Sequence, residues 1–271
     1  MLKRIIQGLR SIIDHHTAVA VALALFSTWI CRRNGWIAEF PLTMVGTAVV
    51  FPIVFSIGGA YKRREAALDD YGSIKAHGRA LHFATRDWID DTDSDLQAEV
   101  GQLLYELLAA CRTLFTAPVS KMGDHEARVD EAFSNLSTFI NGLRDRGLPS
   151  GEASRCNQFL SKMMISFESV KHVYQYRTPV TLRTYSKVFI YILPVLYGPY
   201  FAAIALDYSA NLAYVMPVLL SVILVSLDNI QEHLENPFDQ VGEDDVIINA
   251  EKFVGRLGLP IDDVVASASS N

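Results

Sequence analysis

Residues 39–72 read EFPLTMVGTAVVFPIVFSIGGAYKRREAALDDYG, and the fold turns on how they are taken. The first part is apolar enough for a bilayer. It runs into a charged segment with no strong break between them. Phe51 and Phe55 are four residues apart, and Thr47 sits one step earlier at the same spacing. Residues four apart share one face of a helix. Thr47, Phe51 and Phe55 therefore make a single stripe on a membrane-suited helix. Such a stripe is either a packing seam or the wall of a hole.

Upstream, residues 16–30 form another apolar run, short against the roughly 20 residues that cross a bilayer core. Trp29 and Trp36 suit a membrane interface. Asn34-Gly35 predicts a tight turn, and Pro41 opens the second run, which continues to about residue 61. The two runs read as a hairpin. Before them, residues 2–13 place Leu2, Ile5, Ile6, Leu9 and Ile13 on one side and Lys3, Arg4 and Arg10 elsewhere. That is a basic amphipathic helix, suited equally to a membrane surface and to another helix. A cleaved signal peptide is a poor fit, because Arg32 and Arg33 follow the first run where small residues would precede a cleavage site.

Lys62, Arg63 and Arg64 follow the second run directly. With Lys3, Arg4 and Arg10 they put both ends of the hairpin in the cytoplasm by the positive-inside rule, against the opposing Arg32 and Arg33. The next stretch carries amphipathic helices at roughly 62–88, 94–115, 124–145 and 152–177, with no sustained strand alternation. Thr178-Pro179 ends this series. A third apolar run covers 188–206 and a fourth 212–227. The turn between them lacks basic residues, while Arg183 and Lys187 precede the pair. Pro194, Pro199 and Pro217 lie inside these runs. Proline there frees backbone carbonyls that neighbours must satisfy, which favours a bundle over lone anchors.

The expected fold is an all-α membrane protein. Four membrane helices form two hairpins, joined to a cytosolic helical bundle. Residues 1–61 hold the N-terminal helix and first hairpin, 62–187 the cytosolic region and 188–228 the second hairpin. Residues 229–271 form a cytosolic tail with an acidic loop. The membrane is expected to be the plasma or inner cell membrane.

Composition agrees. Of 271 residues, 50% are hydrophobic and 20% charged, a mixture of membrane and aqueous parts. The formal net charge of −6 argues against a nucleic-acid partner. Cys31, Cys111 and Cys156 are scattered with no CxxC, so neither a disulfide framework nor a zinc site is suggested. Asp91, Asp93 and Asp95 alternate as in a calcium loop, but Leu96 and Gln102 stand where an EF-hand needs Gly and Glu. His15-His16 at the mouth of the first run suit a lipid head group, a pH response or no special role. Glu243, Asp244 and Asp245 form a compact acidic turn, readable as solvated or as a hard-cation site. No nucleophile elbow, P-loop, dinucleotide fingerprint or zinc motif occurs, and nothing argues for an enzyme.

Three stretches resemble the bestrophin family of pentameric ion channels. Phe51-Pro52-Ile53-Val54-Phe55, with Tyr61, Arg63, Tyr71 and Gly72, looks like that family's second membrane helix. Phe133-Ser134-Asn135-Leu136 and Thr178-Pro179-Val180-Thr181-Leu182 look like phrases of its cytosolic helices and third-span entry. Glu235-Asn236-Pro237-Phe238 and the following acids look like the turn after its last span. The resemblance implies a homopentamer in the lipid bilayer that conducts anions such as chloride, with Thr47, Phe51 and Phe55 at the pore neck. Lys62, Arg63 and Arg64 would lie near its inner mouth. It implies no cofactor beyond calcium, which animal members bind in a clasp at the acidic loop. Here Asp239, Gln240, Val241 and Gly242 intervene before Glu243, Asp244 and Asp245. Two further departures stand out. Arg64 and Glu65 replace a tryptophan pair, and Thr47 is polar where the neck is usually apolar. A cation-conducting bacterial-type relative and a membrane-anchored helical scaffold without a pore remain alternatives.

Overall fold

The computed structural model describes residues 14–39, 42–89, 94–176, 179–207, 209, 211–238 and 245–259. The expected helix at 2–13, the acids Glu243 and Asp244, and the last residues of the tail lie outside these. Among the described residues all regular structure is helical. The chain divides into two compact units, one of Met1–Lys62 and Arg177–Asn236 and one of Arg63–Tyr176 and Pro237–Asn271.

The first unit contains α1 (His15–Asn34), the start of α2 (Leu42–Asp87), α6 (Val180–Leu196), α7 (Gly198–Asp207) and α8 (Leu212–Glu235). A capping box starts α1. Asp14 Oδ1 accepts from the Thr17 N–H at 3.1 Å, and Thr17 Oγ1 accepts from the Asp14 N–H at 3.3 Å. Gly35 ends the helix with φ 67°, a left-handed conformation that glycine adopts without steric cost. This is the turn that Asn34-Gly35 predicts.

What α1 buries is small: Thr17, Ala20, Ala24, Thr28 and Cys31. Its large side chains Val19, Leu23, Phe26 and Trp29 point outward. On α8 the pattern repeats. Ala213, Pro217 and Ser221 face in, whereas Val215, Leu219 and Ile223 face out. Packing small residues inward lets helix backbones approach closely, which is how helices associate where the surroundings are as apolar as leucine. Two stretches of the described residues are long and apolar enough to cross a membrane, Thr181–Ile204 and Leu212–Glu235.

The third apolar run is interrupted at Tyr197, between α6 and α7. In an unbroken helix the Val195 carbonyl would accept from residue 199, but Pro199 has no N–H to give. Ser27 of α1 supplies the missing donor, its Oγ reaching the Val195 carbonyl at 2.7 Å. A side chain at Gly198 would run into Ser27, so glycine is required beside this bond. We expect Ser27→Ala to lower the stability of the purified protein by about 1 kcal/mol, the usual worth of one such hydrogen bond. Thermal melting measures it, and an unchanged midpoint would mean that another group satisfies Val195.

The second unit contains the rest of α2, then α3 (Ser94–Thr116), a 3₁₀ turn (Val119–Lys121), α4 (Met122–Gly142), α5 (Ser150–Gln175) and α9 (Ala250–Gly255). Apolar residues three and four apart bury one face of each long helix. On α4 these are Val129, Ala132, Phe133, Leu136, Phe139 and Ile140, and on α5 Ala153, Cys156, Leu160, Met163, Phe167 and Val170. Tyr174 closes α5 by donating its hydroxyl proton to the Ala117 carbonyl. All three cysteines are free and buried. Burial pushes the Cys111 thiol up to about 12, so it behaves as a small core hydrophobe.

The chain after α8 returns to this core. Phe238 stacks on Phe115 at 5.0 Å and meets Tyr174 edge-on at 6.3 Å. Val246 N–H donates to the Pro237 carbonyl at 2.7 Å and closes the intervening loop. Val246, Ile248, Phe253 and Val254 are buried in the same cluster.

Candidate functional site

Helix α2 runs unbroken for 46 residues with Pro52 inside it. One face carries a regular burial pattern. Val49, Ile53, Ser56 and Ala60 are buried in the first unit, and Ala67, Tyr71, Ile74 and Leu81 in the second. Within each unit these positions recur at three, four or seven residues, as a helix needs to keep one face inward.

The opposite face holds the aromatic stripe. Thr47 is exposed, and Phe51 and Phe55 are 59% and 65% exposed, among the most open large apolar side chains described. Their rings meet edge to face, with centroids 4.6 Å apart and planes at 80°. Edge-to-face is a geometry that aromatic pairs prefer. The stripe is thus no seam among the described residues. Beside it lies an apolar cavity of about 420 Å³, lined in part by Thr47, Val50, Phe51, Leu193 and Tyr197. Among the described residues, nothing beyond the adjoining backbone of its own helix comes within 4 Å of where a side chain at Gly58 would sit.

The basic residues past the stripe differ among themselves. Lys62 is exposed. Arg64 is held by its neighbour Glu65 at 2.6 Å, which offsets its charge locally. Of the expected acidic turn, Asp245 is partly buried, and Glu243 and Asp244 lie outside the described residues. Asp14, His15 and His16 bring one ligand atom each within 4.8 Å of one another. The Asp14 carboxylate is already engaged as the α1 cap.

Two polar arrangements escape a local reading of the sequence. In the first unit, Arg183 of α6 pairs with Glu235 of α8 at 3.4 Å. Gln231 Nε2 donates to the other Glu235 oxygen at 3.0 Å. Lys187 and Glu232 add a looser pair at 3.7 Å. In the second unit, α2 and the α9 region enclose a basic pocket. Its signal in sequence is two lysine–arginine pairs at helical spacing, Lys75 with Arg79 and Lys252 with Arg256.

No family model matches this chain, and no curated protein matches it by sequence. Solved structures do. A point variant of a bacterial bestrophin homologue from Klebsiella pneumoniae superposes with a TM-score of 0.73 at 15% identity, covering 93% of this chain and 97% of that one. A second point variant of the Klebsiella pneumoniae homologue gives 0.71 at 16% identity over 93% and 98%. A structure described as that of a membrane protein gives 0.70 at 14% over 93% and 98%. This chain has a bestrophin-like fold.

Several of the residues that carried the resemblance are buried or begin a helix. Phe133 and Leu136 are buried in the second core, and Phe238 is the stacked anchor. Pro179 caps α6. Tyr71 is buried, and its hydroxyl oxygen accepts from the Asn249 N–H at 3.2 Å. Burial raises the Tyr71 phenol above its usual range, which keeps it neutral.

Proposed function

We propose that this chain is the subunit of a bestrophin-type ion channel, assembled as a homopentamer in a lipid bilayer and conducting anions such as chloride. The observation that carries the reading is the open Phe51–Phe55 pair on a helix whose other face is packed. A ring of such side chains around a symmetry axis narrows a pore to a hydrophobic neck, which gates by losing and regaining water. Aromatic edges present partial positive charge to a passing anion. Lys62, Arg63 and Arg64 follow seven to nine residues further along the helix, the nearest about 10 Å away at 1.5 Å per residue. There they enrich anions at one mouth, less strongly than three free cations would, because Arg64 is paired with Glu65. Thr47 gives the neck one hydroxyl at its far end.

The outward apolar faces of α1, α6 and α8 support placement in lipid. In this reading α1 and the start of α2 form a first membrane hairpin, and the second unit lies in the cytoplasm with both termini. The unapproached Gly58 suits contact with a neighbouring subunit.

The test is conduction in planar bilayers. The purified protein is expected to pass current with a reversal potential that follows the chloride gradient. Phe51→Ala with Phe55→Ala is expected to raise conductance and weaken closure. Absence of current, or a double variant indistinguishable from wild type, sinks the neck. A cation-following reversal potential selects the cation-conducting alternative. A monomer or dimer in detergent favours the poreless scaffold.

A further inference from the structure

The second unit holds a cavity of about 480 Å³ lined by Tyr71, Lys75, Arg79, Asn249, Lys252 and Arg256, among others. That volume falls in the range of small-molecule pockets, about 300–1,000 Å³. Four cations converge on it from two elements, Lys75 and Arg79 from α2 and Lys252 and Arg256 from the α9 region. None of the four pairs with a carboxylate among the described residues. Lys75 instead lies over the Tyr71 ring, its Nζ 4.1 Å from the centroid.

The nearby acid is turned elsewhere. Glu251 binds Arg112 through both oxygens at 3.0 and 2.9 Å and accepts from the Tyr105 hydroxyl at 3.4 Å. Burial pushes the Glu251 carboxyl up, but its backbone hydrogen bond and Arg112 outweigh this and hold it below its usual range. The carboxylate stays ionised and committed to Arg112. Lys75 responds to what is left. Burial lowers its ammonium from the ordinary lysine range, and the charges of Arg256, Arg79 and Lys252 lower it further. The cluster therefore repels itself in the folded protein, and a multivalent anion relieves that repulsion.

We propose that this pocket is a binding site for a compact polyphosphate, a ligand presenting two or more adjacent phosphate groups to Lys75, Arg79, Lys252 and Arg256. A single chloride or orthophosphate engages fewer of the four and binds more weakly. The same chemistry is available from a soluble polyphosphate and from a phosphorylated lipid headgroup.

The experiment uses the full chain purified in detergent and, separately, in nanodiscs of phosphatidylcholine with and without phosphatidylinositol bisphosphate. Inorganic tripolyphosphate is titrated by calorimetry. The expected result is one saturable site per chain that orthophosphate competes for poorly. Lys252→Glu with Arg256→Glu should weaken it by about tenfold or more, the factor that accompanies loss of a charge-assisted contact. Lys75→Gln with Arg79→Gln tests the other wall and should weaken it as well. Tripolyphosphate binding in detergent identifies a soluble source. Binding only to phosphoinositide nanodiscs, abolished by the same substitutions, identifies the headgroup. The proposal is overturned if neither probe binds, or if binding survives both pairs of substitutions. It is also overturned if the substitutions only dissociate the oligomer, which would make the cations a contact between copies. Binding is read without ion current, so its failure and that of the channel reading are separable.

Discussion

Arg183→Ala is expected to cost the protein about 3 kcal/mol, the low end for breaking a buried ion pair, because the Arg183 side chain is 33% exposed while that of Glu235 is 4% exposed. The loss is larger than the pair's net worth. Removing the guanidinium leaves the Glu235 carboxylate buried with, among the described residues, Gln231 to bond it, and an uncompensated charge in a low-dielectric site is what the protein cannot tolerate. The arrangement makes a second, opposite expectation. Arg183→Ala combined with Glu235→Gln removes the charge together with its partner and keeps an amide beside Gln231. That double variant should melt well above the single one. Thermal melting in detergent reads both. If the single and double variants melt together with the wild type, the pair contributes nothing and α6 and α8 are held by packing alone.

The second large effect is expected at Phe238. Its side chain is 1% exposed and touches Phe115 and Tyr174. Phe238→Ala should cost about 3–5 kcal/mol, the usual loss for emptying a buried phenylalanine site, since two aromatic neighbours cannot collapse into the space. The melting midpoint should fall by about 10 °C for a chain of this size. Phe238→Leu keeps most of the volume and should recover more than half. An alanine variant that melts like the wild type would show that the tail is held by Val246, Ile248 and Phe253 alone.

Both features show where a sequence is legible and where it is not. The long helices are readable because their cause is local. On α4 and α5 apolar residues recur at helical spacing, Gly35 marks a left-handed stop, and Pro179 marks a start. The stripe of Phe51 and Phe55 is readable for the same reason, and its exposure follows from the burial of the positions opposite. The break at Tyr197 is half-legible. Pro199 announces a carbonyl without a donor, but only the fold shows that Ser27 answers it from another helix. The basic pocket is still less so. Lys75 and Arg79 read as a solvated helix face until residues 249–256 are laid against them. Arg183 and Glu235 likewise belong to different helices. Charges act through space, and spacing along the chain records only those partners one helical turn away.

The inverted packing of α1 has a consequence for how such a chain can change. In the membrane reading proposed above, Val19, Leu23, Phe26 and Trp29, all exposed on this chain, border a liquid. A liquid refits itself around any apolar shape, so one branched side chain there trades for another almost freely. Ala20 and Ala24 border a solid, at 1% and 0% exposure, and a solid has room for one shape only. Most of the letters on such a helix are then free to drift while a few small ones hold the architecture. A fold built this way outlasts the recognisability of its sequence, and this chain keeps a TM-score of 0.73 to a structure with which it shares 15% identity.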